Sequence, residues 1–237
     1  MIDRHTIAFV SGANRGLGAQ FVARLLARGA GKVYAASRGS HVQHADARVI
    51  PVTLDITDEA SVANAARLAD DTTLLINNAG VNHQSAFLSP LAVEHARAEI
   101  DVNFLGTLRM ARAFAPILIG QRGTMINVLS VLARVSLPAM GSLCASKAAA
   151  LRLTESLRAE LAPRGVSVLA ALPGAIDTDM SRDFDGPKLD PAFTADAVLD
   201  ALLGHTGEVY IGAMAQSLAQ DLMVDRAATQ ARILSLA

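Results

Sequence analysis

Tryptophan is absent from this chain of 237 residues, which holds two tyrosines, one cysteine and only 3 lysines against 18 arginines. A single cysteine excludes an internal disulfide and a thiolate metal cage. That fits a reducing compartment, so a cytoplasmic location and no metal site are expected. Neither charge sign dominates: 21 basic and 22 acidic residues give a formal charge of −1. The balance leaves no electrostatic footprint for nucleic acid and no polybasic patch for acidic lipid. No apolar run of 18 residues lacks a charge, so no membrane span is expected, and no signal-peptide core precedes the first glycines. Gly and Pro, 17 and 8 residues, are near average, which excludes a collagen-like or low-complexity chain. What the sequence has is apolar matter: 51% hydrophobic residues against 18% charged, enough for a sizeable core.

Short β-rich runs alternate with longer helical patterns. The runs are 6–10, 32–36, 49–53, 73–76, 124–128, 166–170 and 208–211. Several are apolar at consecutive positions, as expected of strands covered on both faces. Between the first two, Leu17, Phe21 and Leu25 fall on one helical face. Asp58 is placed to cap a helix carrying Val62, Ala66 and Ala69. Stretches 98–118 and 141–161 are each long enough for several helical turns. The repeated β-α order predicts an α/β fold: one doubly wound parallel sheet of about seven strands, helices on both faces, in a single domain over 1–237.

After the first run comes Ser11-Gly12-Ala13-Asn14-Arg15-Gly16-Leu17-Gly18, and a helix follows. Glycines let backbone turn sharply and approach a phosphate, and a helix N-terminus offers free N–H groups and a positive dipole end. In this strand–loop–helix context the loop predicts dinucleotide binding. The spacing G-x-x-x-G-x-G resembles that of the short-chain dehydrogenase/reductase family, and further motifs resemble it in order. Asn77-Asn78-Ala79-Gly80 is similar to the family's N-N-A-G, and Asp101-Val102-Asn103 to its N-V-N. Asn127-Val128-Leu129-Ser130 resembles the strand presenting the catalytic serine, and Ala145-Ser146-Lys147 the helix carrying the catalytic lysine. Pro173-Gly174-Ala175-Ile176-Asp177-Thr178 resembles the cofactor clamp P-G-x-I-x-T. The resemblance implies a Rossmann-like fold and a catalytic set of Asn103, Ser130 and Lys147. It also implies cofactor contacts from the glycine loop (Gly12, Asn14 to Gly18) and from Asp55, Ile56, Asn77, Ala79 and Gly80. Lys147 and the clamp residues Pro173, Gly174, Ile176 and Thr178 complete that set.

One member is missing. The family places a tyrosine thirteen residues after the serine and four before the lysine; both counts land on Leu143. The two tyrosines, Tyr34 and Tyr210, lie in the second and last β-rich runs. The resemblance implies that the serine binds a carbonyl oxygen, the tyrosine moves its proton, and the lysine holds the nicotinamide ribose. Three readings stand for Leu143. The protein is a reductase whose proton comes from elsewhere, or is already on the substrate as in an imine. It is an NADPH-binding sensor or partner subunit with little turnover. Or Leu143 is an engineered replacement of tyrosine.

The second run ends Ala35-Ala36-Ser37-Arg38, and no acid occurs between 32 and 45. An acid there would hold the ribose hydroxyls of NAD and repel the phosphate of NADP. Arg38 and Arg15 instead favour phosphate, and Ser37 leaves room for it, so NADP(H) is the expected cofactor. The resemblance also implies that residues 179–195, with Met180 and Phe184, form the substrate loop, and that His83 is a further pocket candidate. Cys144 reads as a packing residue. Met214, Leu218 and Leu222 recur every four residues and predict a tail helix within 213–237. The resemblance implies a homodimer or homotetramer acting on a small molecule, and the small residues Ala148, Ala149 and Ala150 would let a partner helix pack closely.

Overall fold

Alternation along the first strand sets the layers. Ala8 and Val10 face one apolar cluster, while Phe9 faces the other and meets the Phe114 ring at 4.7 Å. The computed structural model describes residues 2–39, 44–204 and 207–235. Its strands are β1 (Ile7–Ser11), β2 (Lys32–Ser37), β3 (Val49–Thr53), β4 (Leu74–Asn77), β5 (Thr124–Val128), β6 (Ser167–Pro173) and β7 (Glu208–Ile211). They form one seven-stranded, wholly parallel sheet in the order β3-β2-β1-β4-β5-β6-β7. Strand order reverses between β1 and β4, and open α/β sheets bind ligands at the carboxyl ends beside such a reversal.

Helices α1 (Gly16–Ala27) and α6 (Pro191–Asp200) cover one face, with Phe21, Leu25, Val198 and Leu199 in their shared core. Helices α2 (Glu59–Leu68), α4 (Thr107–Gln121) and α5 (Gly141–Leu161) cover the other through Val62, Phe114, Leu118 and Leu157. Phe21, Leu25 and Phe114 are fully buried, so truncating any of them to alanine costs about 2–5 kcal/mol. Asp58 caps α2 as expected, accepting from the Ala60 N–H at 2.9 Å.

Several boundaries differ from those the sequence predicts. β1, β4 and β6 run on to Ser11, Asn77 and Pro173, because polar ends stay in the ladder when partnered: Ser11 registers with Ala36 and Asn77 with Asn127. The helix expected over 98–118 is one continuous stretch, 92–121, made of α3 (Ala92–Glu99), a π-helical segment Ile100–Gly106, and α4. By length and composition alone that stretch would suit a bilayer; its Met110, Ala111, Phe114 and Leu118 are buried against the sheet. The tail is two helices, α7 (Ala213–Val224) and α8 (Arg226–Leu234), split where Asp225 caps the second through the Ala228 N–H. It packs on its own chain: Gln230 exchanges hydrogen bonds with the Ser136 backbone.

Candidate active site

The glycine loop sits at the end of β1. Gly12 (φ 67°) and Gly16 (φ 52°) adopt left-handed backbone that other residues resist. A Cβ on Gly18 would fall 2.0 Å from the Gly12 carbonyl oxygen, so only glycine lets α1 begin so near the loop. Leu17 turns its side chain into the core and offers only backbone to a ligand, whereas Asn14 and Arg15 stand exposed on the outer edge. Residue Asn78 braces this cradle. Its side-chain amide donates to the Ser11 and Gly12 carbonyls at 3.0 and 3.3 Å, and its backbone N–H donates to Ser11 Oγ. The sequence reading counted Asn78 within a motif but assigned it no role.

Asn77, expected among the cofactor contacts, has a buried side chain. Its amide donates to Asn127 Oδ1 at 2.8 Å, and Asn127 donates on to Thr154 Oγ1 at 2.9 Å. The Asn77 side chain therefore ties β4 to β5 and, through Asn127, to α5. Ala79 and Gly80 follow it, with the Ala79 N–H on Ser11 Oγ at 3.0 Å. Ser37 is buried at the end of β2 and Arg38 is exposed beside it. Asp55 accepts from the Thr57 N–H and hydroxyl at 2.9 and 2.7 Å. Those bonds, helped by the charges of Arg38 and Arg109, hold its carboxyl below the usual range. Ile56 next to it is buried against Gly106.

Of the catalytic candidates, Asn103 and Lys147 come together around Gly80, past the end of β4. Asn103 lies in the π-helical segment, a local distortion that recurs at functional sites. Its Oδ1 accepts from the Val81 N–H at 2.9 Å, and its amide donates to the Val81 carbonyl and to Ser146 Oγ, each at 3.0 Å. Lys147 is buried and donates to the Val128 carbonyl at 3.1 Å. A methyl group on Gly80 would lie 3.1 Å from Asn103 Oδ1 and 3.6 Å from Lys147 Nζ, so the three residues meet. Burial pushes the Lys147 ammonium down to about 8, against the pull of the Glu99 carboxylate, which raises it. Ser130 begins a 3-10 turn and accepts from the Leu132 N–H at 3.2 Å. Its O–H remains a donor for another group.

Leu143 stands one turn before Lys147 on α5, only 6% exposed. Among the described residues it belongs to none of the three apolar clusters. Neither tyrosine replaces it. The Tyr34 hydroxyl donates to Asp71 at 2.9 Å, and the Tyr210 hydroxyl to Glu208 at 3.0 Å. Cys144 points away, buried, with its sulfur 3.3 Å from the Leu137 nitrogen.

Residues Pro173 to Thr178 lie beside the glycine loop. Pro173 ends β6, the Gly174 N–H donates to the Ile211 carbonyl, and Met214 of α7 covers Gly174. Ile176 bridges Leu189 across the base of the loop, and a Cβ on Gly16 would meet Thr178 at 3.1 Å. Arg15 reaches Asp179 at 3.2 Å, joining the loop's start to the glycine cradle. Met180 is exposed, and Phe184 folds its ring onto Gly186. The loop is shorter than the expected 179–195. Asp190 accepts from the Phe193 N–H at 2.7 Å and Pro191 opens α6, so 191–195 are helix, with Thr194 and Ala195 fully buried. His83 is exposed; its backbone N–H donates to Glu99 Oε1 at 2.7 Å and its ring stacks on His95 at 4.7 Å.

Comparison with known proteins agrees with this arrangement. The sequence profile of the short chain dehydrogenase family matches residues 6–188. A short-chain dehydrogenase of Penicillium crustosum is 36% identical over 187 residues, covering 75% of this chain and 68% of that protein. The 3-oxoacyl-[acyl-carrier-protein] reductase of Synechocystis is 32% identical over 194 residues, covering 76% and 77%. Among solved structures, a short chain dehydrogenase from Burkholderia cenocepacia in complex with NADP is 55% identical, covers 97% of each chain and superposes with a TM-score of 0.94. With a profile match over most of its length and these motifs around one strand-order reversal, the chain belongs to the short-chain dehydrogenase family.

Proposed function

We propose that this protein is an NADPH-dependent oxidoreductase that delivers hydride to the carbon of a small C=O or C=N group, from a site where Leu143 replaces the proton-donating phenol. The convergence of Lys147, Asn103 and Gly80 beside the glycine cradle carries the reading. The cradle fits a dinucleotide: left-handed glycines, a Gly12–Gly18 approach that admits no Cβ, and the N-terminus of α1. Arg15 and Arg38 are exposed cations at its adenosine end and suit the additional phosphate of NADPH. That choice agrees with the NADP complex of the Burkholderia relative.

NADPH supplies the hydride. The chain's own residues do the rest. Lys147 holds the ribose hydroxyls, Ser130 donates to the substrate acceptor atom, and Met180 and Phe184 belong to the loop over the substrate. A ketone also needs a proton on oxygen, which here comes from water or a neighbouring side chain such as His83. An iminium nitrogen already carries its proton, so the missing phenol handicaps an imine least. A second reading, an NADPH-binding sensor or partner subunit, is favoured by one observation: both phenols are engaged elsewhere. Loss of NADPH absorbance against matched panels of ketones and cyclic imines separates the two. Binding without turnover on either panel overturns the oxidoreductase reading.

A further inference from the structure

Gly16 and Thr178 approach so closely that a Cβ on the glycine would lie 3.1 Å from the threonine methyl. Their neighbours in the chain, Arg15 and Asp179, carry opposite charges, and the same approach brings these together. Arg15 Nη1 donates to Asp179 Oδ2 at 3.2 Å. The other carboxylate oxygen, Oδ1, accepts from Arg182 Nη2 at 2.7 Å. Asp179 therefore joins two guanidiniums, one from the glycine cradle and one from its own loop. Backbone holds the acid in place. It opens the 3-10 turn Asp179–Ser181, where the Ser181 N–H donates to the Thr178 carbonyl at 3.1 Å.

Of the two exposed cations that suit the additional phosphate of NADPH, Arg15 already holds an anion. A guanidinium grips phosphate best through two parallel N–H bonds, so Arg15 must give up Asp179 to grip it in that way. The exchange strands no charge, because Arg182 keeps its hold on the carboxylate. NADH brings no such phosphate and leaves the Arg15–Asp179 bridge intact. We propose that Asp179 is a specificity-determining residue for the cofactor: it competes with the additional phosphate of NADPH for Arg15, and so sets how strongly the site prefers NADPH to NADH. The proposal rests on the reading of Arg15 as a phosphate contact. Its size follows from exposure. The Arg15 and Asp179 side chains are 73% and 53% exposed, and an ion pair so open to water is worth little, so the competition costs NADPH about two- to fivefold in affinity.

The test is a double-mutant cycle read by cofactor binding alone, so it needs no substrate. NADPH and NADH are titrated by fluorescence into the full-length protein, Asp179→Asn, Arg15→Ala and the double variant, at low ionic strength where exposed charges are least screened. Both side chains are exposed, so neither substitution threatens the fold. Asp179→Asn keeps the shape and removes the charge. It should tighten NADPH by about two- to fivefold and leave NADH unchanged. Arg15→Ala should weaken NADPH, and adding Asp179→Asn to it should then gain nothing, since the contested cation is gone. NADPH affinity unmoved in Asp179→Asn overturns the proposal. So does an equal gain for NADH, or a loss for both cofactors, which would make the bridge a strap over any dinucleotide. An undiminished gain in the Arg15→Ala background overturns it as well, because the acid would then act on the phosphate directly. The two readings fail separately. Unchanged NADPH affinity in Arg15→Ala removes Arg15 as a phosphate contact and the competition with it. Weakened NADPH there, with Asp179→Asn unmoved, removes the competition alone.

Discussion

Restoring the phenol at position 143 puts the reading of the site at risk. Leu143 and Lys147 are four residues apart on α5, so their side chains share one helical face, and Ser130 stands at the end of the neighbouring strand. Leu143→Tyr should add the positioned proton donor, worth about 10²–10⁴-fold in turnover of a ketone, or about 3–5 kcal/mol of barrier. The substitution enlarges a side chain that is only 6% exposed. Overpacking costs about 1–3 kcal/mol, which a domain with about 5–15 kcal/mol of stability survives, lowering the melting temperature by several degrees. The assay is kcat/KM for a ketone and its matching cyclic imine, both variants, at saturating NADPH. The ketone should gain the full factor and the imine far less, since its nitrogen arrives protonated. Ketone turnover unchanged in a folded variant with intact cofactor affinity would show that position 143 is not the vacated acid site; His83→Ala would then be the next variant to measure.

Further outcomes follow from the same geometry. NADPH should bind more tightly than NADH in fluorescence titration, and Arg38→Asp should invert the order; equal affinities in the unsubstituted protein would remove the phosphate pocket. Lys147 is pushed down to about 8, so it loses its proton as pH rises through that value, and NADPH affinity should decline over the same window. Lys147→Arg, which stays charged, should flatten that dependence; a decline that persists in it assigns the titration to another group. Gly18→Ala places a methyl 2.0 Å from the Gly12 carbonyl and should destabilise the fold by about 1–3 kcal/mol while abolishing cofactor binding, read by thermal melts with and without NADPH. A homodimer or homotetramer should emerge from light scattering, since half-buried Ala148 and Ala149 lie on α5 beside exposed Ala145, although Ala150, expected with them at the contact, is buried in its own chain's core; a 24.7 kDa species at micromolar concentration would refute it.

The parts of the site legible in the sequence are those the backbone dictates. Gly12, Gly16 and Gly18 are read from spacing because local conformation and close approach demand glycine there, whatever the rest of the fold does. Helix ends were also written locally. Asp190-Pro191 and Asp225 are capping signals: the first opens α6 before 195, and the second divides the tail into two helices. Tertiary partnerships leave no such trace. Nothing local distinguishes Asn77 from its neighbour Asn78, yet one braces the sheet through Asn127, 50 residues away, and the other braces the cradle through Ser11, 67 residues back. Glu99 sits in a helix that otherwise reads as a charged outer surface, Glu94-His95-Ala96-Arg97-Ala98-Glu99. Only the packing of α3 on α5 buries it.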